Sequence, residues 1–150
     1  FNSIGEEAAL SLVSIFKEKD RMQSVGLASC DLGVDGAKAV ADYVSVSGSL
    51  TSIGEGGLDL RGNLFREEGW GAIISAVCGS TTSQIASIDA SGQDIGPAGA
   101  KLIAEALRTS FNASLTSLST AFNNISGDGA VVPPTGTGVT EVEATIAGTK

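Results

Sequence analysis

The stretch Ile88–Leu107, IDASGQDIGPAGAKLIAEAL, passes from a strand-like pattern into a helix-like pattern through a turn that contains glycine. At its start, apolar residues alternate with small polar residues, which is typical of a half-buried strand. Towards its end, Ala100, Ile103, Ala104 and Leu107 follow the i, i+3, i+4, i+7 spacing of one helix face. The stretch therefore predicts a compact strand–turn–helix unit.

The same pattern occurs again elsewhere in the chain, so the unit is repeated. Each copy follows one frame: apolar, two spacers, apolar, one spacer, apolar, two spacers, then a residue that we call the key position. One further spacer and another apolar residue follow. The key positions, which are 28 to 33 residues apart, are Asn2, Cys30, Asn63, Gln93 and Asn123. Since no copy can bury its helical face alone, the repeat predicts stacked units.

Some copies depart from this frame. Ala90 and Thr120 replace the third large apolar residue of their strands. The copy that begins at Leu50 carries the extra residues 54–57, GEGG, inside its strand half. In that copy either Phe65 or Leu64 fills the apolar position that follows the key position.

The frame resembles the leucine-rich repeat, L-x-x-L-x-L-x-x-N/C-x-L, in its ribonuclease-inhibitor-like form. Over residues 1–130 the resemblance implies an α/β solenoid of about four and a half repeats, with a curved parallel sheet inside and helices outside. Residues 131–150 differ, because Pro133-Pro134 prevents the helix that would follow. We expect a C-terminal tail or arm there, rich in Pro, Gly and Thr, that either caps the last repeat, grips a partner or is a loose terminus.

In stacked copies the side chains at the key positions can bond the backbone of neighbouring turns. We therefore expect a structural ladder of Asn2, Cys30, Asn63, Gln93 and Asn123. Cys30 is then a structural residue. The chain has two cysteines and no C-x-x-C pair, which fits a reducing compartment or simple burial.

Composition excludes several classes of function. Charged residues make up 17% of the chain, the net charge is −8, and the basic residues form no cluster, so a nucleic-acid partner is not expected. The chain has no histidine, which excludes histidine catalysis and histidine metal ligands. No apolar run is long enough to span a membrane, and no signal-peptide pattern is present. We expect a soluble or peripheral intracellular protein, cytoplasmic or organellar, and, since it begins with Phe1, a processed product or a piece of a longer chain.

Two carboxylates fall at equivalent strand positions of adjacent copies, Asp59 and Asp89. We expect them to lie side by side, about 5 Å apart across the sheet. Such a pair can hold a cation or serve acid–base chemistry. We favour the interpretation that Arg61 balances them on an open face, and we predict no enzyme activity, no cofactor and no metal.

The resemblance implies that partner proteins bind the concave sheet face. The residues predicted for that face are Ser24, Asp59, Arg61, Ser87, Asp89, Ser91, Ser117, Ser119 and Phe122. Trp70 has two interpretations: it fills space opened by the inserted residues, or it is an exposed anchor on the helical side, since Trp is enriched at binding hot spots.

Three functional hypotheses follow. The first is a non-catalytic protein–protein interaction or scaffold module. The second is a structural accessory subunit fixed in a large multiprotein assembly, whose neighbours cover the ends of the repeat stack. The third is a regulator that activates a small GTPase, for which Arg61 would be the candidate residue.

Overall fold

A computed structural model describes residues 4–19 and 21–125 of the chain. Within them the fold is α/β, as predicted. The predicted tail, residues 131–150, and Asn2 of the ladder lie outside the described residues. The helices and strands are α1 Glu6–Lys17, β1 Val25–Gly26, α2 Val34–Val46, β2 Ser52–Ile53, β3 Leu58–Asp59, α3 Arg66–Cys78, β4 Ser87–Asp89, α4 Gly96–Arg108 and β5 Ser117–Ser119.

The strands form one parallel sheet in the order β1-β3-β2-β4-β5. Three of the pairings join equivalent positions of the sequence frame: Val25 lies opposite Leu58, Ile53 opposite Ile88, and Ile88 opposite Leu118. Successive parallel strands are normally joined by a crossover, and the four residues between β2 and β3 are the exception here. Three of the four connections between successive strands contain a helix, as the strand–turn–helix unit requires.

The copy that begins at Leu50 contributes two strands to the sheet instead of one. Residues 54–57 turn tightly between β2 and β3: the Gly54 N–H donates to the Leu58 carbonyl (2.9 Å), and the Gly57 N–H donates to the Gly54 carbonyl (3.2 Å). As a result Ile53 and Leu58 become partners across adjacent parallel strands. The expectation of one strand per copy is therefore wrong for this copy.

The helices bury the stripes that their spacing predicts, most completely in the middle of the chain. In α2 the buried positions include Ala37, Val40, Ala41 and Val44. Among the helices, α1 contacts α2, α2 contacts α3, and α3 contacts α4. The burial of helix stripes weakens at the outer helices, since Leu12 of α1 is 44% exposed.

One hydrophobic core joins the inward-facing strand residues to the helix stripes. Phe65 is fully buried at 0% exposure and Leu64 is 62% exposed, so Phe65 fills the apolar frame position of its copy. Phe65 packs edge-on against Trp70, with the ring centroids 5.9 Å apart. Burying one such side chain stabilises the fold by about 1.5–3 kcal/mol.

Candidate functional site

The candidate site is the open surface of the parallel sheet, which we call the outer sheet face. It consists of the strand and strand-end residues that alternate with the buried ones. In β4, Ile88 and Ala90 point into the core, whereas Asp89 is exposed and Ser87 is half-buried. The sequence-predicted residues that lie exposed or half-buried at these alternate positions are Ser24, Asp59, Arg61, Ser87, Asp89, Ser91, Ser117 and Ser119, and the exposed Phe122 lies in the turn that follows β5.

Most side chains on this face are short, and two of them join neighbouring strand ends. The hydroxyl oxygens of Ser91 and Ser119 lie 2.7 Å apart. The backbone N–H of Ser91 also donates to Oδ1 of Asp89 (3.0 Å). The face is therefore rich in short hydroxyl side chains at β4 and β5.

Arg61 and Asp59 form the charged centre of the face. The Arg61 side chain donates two parallel hydrogen bonds, from Nε to Oδ1 (2.9 Å) and from Nη2 to Oδ2 (2.7 Å). This bidentate geometry is the strong form of an arginine–carboxylate pair. It lowers the pKa of Asp59 from its ordinary value, although partial burial acts in the opposite direction. Glu55 lies 3.6 Å from the same guanidinium and was not anticipated from the sequence.

The predicted side-by-side placement of Asp59 and Asp89 is wrong. Asp59 ends β3, Asp89 ends β4, and β2 lies between these two strands. The neighbour of Asp89 is Gly54, which directly follows β2 and where an added Cβ would lie 3.2 Å from the Cβ of Asp89. The extra strand therefore separates the two carboxylates. Among residues 4–19 and 21–125, no group of three or more Cys, Asp and Glu side chains is arranged to hold a metal ion.

Phe122 lies in the turn that follows β5 and combines two unusual properties. Its side chain is 60% exposed, and its φ is +59°, in the left-handed region. The residues just before the other key positions, Ser29, Gly62 and Gly92, also have positive φ. A bulky residue is strained in this conformation, whereas glycine adopts it readily. The conformation of Phe122 is therefore unfavourable, and the partial burial of its side chain offsets little of this free-energy cost.

The described ladder residues lie in the turns that follow the strands. Oδ1 of Asn63 accepts from the N–H groups of Cys30 and Leu32 (both 3.1 Å), and its Nδ2 donates to the carbonyls of Leu27 (2.7 Å) and Leu60 (2.8 Å). One side chain thus joins two turns that are 33 positions apart at Cys30 and Asn63.

Asn123 repeats this arrangement in the last described copy. Its Oδ1 accepts from the N–H groups of Gln93 (2.9 Å) and Ile95 (3.1 Å), and its Nδ2 donates to the carbonyls of Ala90 (2.8 Å) and Thr120 (2.9 Å). The other two described key residues bond within their own turns. Gln93 Nε2 donates to the Ser91 carbonyl (3.0 Å), and the Cys30 thiol donates to the Ala28 carbonyl (3.6 Å). Burial raises the pKa of the Cys30 thiol.

Trp70 is not an exposed anchor. Its side chain is 1% exposed in the core, so it offers no surface to a partner on the helical side. The interpretation of Trp70 as an exposed anchor is therefore wrong. The sequence frame indicated that Trp70 is buried. Trp70 occupies the same frame position as Ala37 and Ala100, which are buried near the start of their helices.

Sequence reasoning missed Glu6, which links two copies. Its Oε1 accepts hydrogen bonds from the N–H groups of Gly33 and Gly36 (both 3.0 Å) at the start of α2. A carboxylate is stabilising at a helix N-terminus because the N–H groups there lack partners within the helix. The sequence feature that could have indicated this contact is the position of Glu6 in the first turn of α1. Glu67 holds the equivalent position in the first turn of α3.

Comparisons with known proteins add no relative. No protein-family model matches the chain, and no curated protein matches it significantly. Among the helices of residues 4–19 and 21–125, none has the length and apolar character needed to cross a membrane. The function has to be inferred from the site itself.

Proposed function

We propose that the chain is a leucine-rich-repeat solenoid of the ribonuclease-inhibitor-like type, with about four and a half repeats in residues 1–130. Two observations support this. Equivalent frame positions lie opposite one another in the parallel sheet, such as Ile88 and Leu118. The helices contact one another in chain order, which is what a stack of repeats requires.

Its function is that of a non-catalytic protein–protein interaction or scaffold module that binds through the outer sheet face. The observation that carries this proposal is Phe122, an aromatic side chain that is 60% exposed at a strained φ of +59°. The turn gives a positive φ to this frame position in every described copy, so the unusual feature is the choice of a large exposed aromatic where the other copies have Ser29, Gly62 and Gly92. A bulky residue in this conformation costs of order 1–3 kcal/mol. Since burial does not offset that cost, we assign Phe122 the role of a binding anchor.

The rest of the face fits a partner protein with a flat or helical surface. Aromatic and arginine side chains dominate binding hot spots, and this face offers Phe122 and Arg61. Arg61 is already bound to Asp59, so a partner meets a neutralised pair rather than a free cation. This pairing also leaves the GTPase-activator hypothesis without a supporting observation, because the guanidinium would first have to leave Asp59.

Phe122→Gly tests the anchor, and Phe111→Ala is the matched control. Phe111 is 76% exposed and its φ is not positive. We expect Phe122→Gly to raise the free energy of unfolding in urea by about 1 kcal/mol, because the strain is relieved. Phe111→Ala should leave the free energy within about 0.5 kcal/mol.

Binding is measured by photo-crosslinking in an extract of the cells that produce the chain. A photoreactive residue replaces Ser117 on the outer sheet face or, as control, Asp42 on α2. We expect one partner band from position 117, weakened at least about tenfold by Phe122→Gly, since an anchor is worth more than 1 kcal/mol. Bands from position 42 alone, or bands that Phe122→Gly leaves unchanged, would contradict the proposal.

One observation favours the second hypothesis, an accessory subunit of a large assembly. The side chains of Leu12 and Ile15 on α1 are 44% and 49% exposed, and α2 is the helix that α1 contacts. A neighbouring subunit could cover this apolar surface. Leu12→Gln together with Ile15→Gln should then abolish incorporation into a large complex on gel filtration of extract, whereas the interaction module proposed above would keep its crosslink from position 117.

A further inference from the structure

The outer sheet face carries more negative than positive charge. Among the residues named above for this face, the charged ones are Asp59, Arg61 and Asp89. Glu55 belongs to the same group, because it lies 3.6 Å from the Arg61 guanidinium. Three carboxylates against one guanidinium leave two negative charges in excess. A surface of one sign favours partners of the opposite sign and speeds their association.

The cation of this group is already engaged by its neighbours. The Arg61 guanidinium donates to both carboxylate oxygens of Asp59, at 2.9 and 2.7 Å. The pKa of Arg61 is raised, first by this hydrogen bond with Asp59 and further by the charges of Glu55 and Asp89. Asp59 and Glu55 together already exceed the single charge of Arg61. The guanidinium therefore leaves Asp89 without a cation of its own.

Asp89 is the carboxylate of this group that an outside cation can reach. No ion pair joins Asp89 to a Lys or Arg side chain within residues 4–19 and 21–125. Its Oδ1 accepts from the Ser91 N–H (3.0 Å), which leaves Oδ2 for a further donor. Asp89 is exposed, and Gly54 beside it has no side chain to cover the carboxylate.

Phe122 lies within reach of the same partner segment. Asp89 is the register partner of Ser119 across β4 and β5. Phe122 follows Ser119 by three residues, which span at most about 10 Å of extended chain. Two turns of an α-helix rise about 11 Å. One face of a helix can therefore contact Asp89 and Phe122 together.

We propose that the partner presents a basic helical segment to the outer sheet face. A Lys or Arg side chain of that segment binds Asp89, and an apolar side chain about two turns away packs on Phe122. This inference rests on the proposed function, because it names the chemistry of the partner that binds the face. An acidic segment at the same place would be repelled by the carboxylates of the face.

Two synthetic peptides of about 20 residues test the preference for a basic helix, since shorter helices are marginal in water. The first carries Lys and Leu two turns apart on one face, and the second has Glu in place of that Lys. NMR titration of the full chain should show the Lys peptide shifting the amide signals of Ser91 and Ser119. At low salt it should bind at least about fivefold more tightly than the Glu peptide. The difference should vanish at about 1 M salt, where charges are screened beyond ~3 Å.

Asp89→Asn tests the residue that carries the preference. The amide removes the charge and keeps an oxygen that can accept from the Ser91 N–H. It should weaken binding of the Lys peptide about fivefold at low salt. Asp42→Asn is the matched control, because it removes the same charge from an exposed position on α2. It should leave both affinities unchanged. Equal affinities of the two peptides, no shift at Ser91 and Ser119, or equal effects of the two variants would overturn the proposal.

The crosslink from position 117 separates this inference from the proposed function. The partner band should weaken with Asp89→Asn as well as with Phe122→Gly. A band that responds to Phe122→Gly and not to Asp89→Asn keeps the interaction module and overturns the basic partner. If position 117 gives no band, the proposed function fails on its own test, and the peptide titration still decides the charge preference of the face.

Discussion

At the scale of single residues, two asparagines join neighbouring turns of this fold. Asn63 and Asn123 each hold two N–H groups of the preceding copy, and each returns its amide hydrogens to carbonyls of both copies. A buried turn cannot leave such groups unpaired without a cost of about 1–3 kcal/mol for each. The stability of the fold therefore depends on these side chains much more than on exposed polar ones.

Replacing Asn63 with Ala should lower the free energy of unfolding by about 2–3 kcal/mol, because two N–H and two C=O groups lose their partner together. Urea unfolding at neutral pH measures the change. Gln93→Ala is the control, since the Gln93 amide donates one bond within its own turn. It should cost less than about 1 kcal/mol. Equal losses in the two variants would argue against the bridging role.

The sequence was informative at this scale where a residue's environment follows from its place in the frame. The periodicity assigned Ile88 and Ala90 to the core and Asp89 to the open face, and their burial agrees. The periodicity could not find the bond from Glu6 to the start of α2, because that contact joins residues 27 positions apart and depends on how two helices approach. The left-handed φ of Phe122 was not anticipated either, although Gly62 and Gly92 at the same frame position were a signal for it.

At the scale of elements, the decisive feature is the turn at residues 54–57. The frame marked these residues as an insertion but not as the link between two strands. Periodicity reports which way a side chain points, and it does not report how many strands a segment makes. The consequence at the site was large, because β2 separates Asp59 from Asp89 and removes the carboxylate pair that the sequence predicted.

In this turn, Gly57 cannot be replaced by a larger residue without a steric collision. An added Cβ would collide with the side chain and the carbonyl of Ser52. Gly57→Ala should therefore destabilise the fold by about 1–3 kcal/mol through strain between β2 and β3. Gly26→Ala is the control, because a Cβ at Gly26 meets no atom within 4 Å. It should stay within about 0.5 kcal/mol of the unmodified chain in urea unfolding. If Gly57→Ala is equally mild, the turn is looser than its contacts indicate.

At the scale of the whole molecule, stability is expected to be greatest in the middle. The helices contact their neighbours in chain order, so α3 packs on both sides, against α2 and α4. Helices that pack on their neighbours in chain order are stabilised by those neighbouring interfaces. An outer helix such as α1 has one interface within the described residues, and the cost of the same truncation should fall from the centre outwards.

Ile73 and Leu12 test this gradient, because they occupy the same frame position in α3 and α1. Ile73 is 0% exposed, whereas Leu12 is 44% exposed. Ile73→Ala should cost about 3–4 kcal/mol, since it opens a cavity between packed helices. Leu12→Ala should cost less than about 1 kcal/mol, because its side chain is already partly in water. Urea unfolding gives both values, and amide exchange should show α3 more protected than α1. Comparable costs would contradict the gradient, because they would mean that Leu12 is as tightly packed in solution as Ile73.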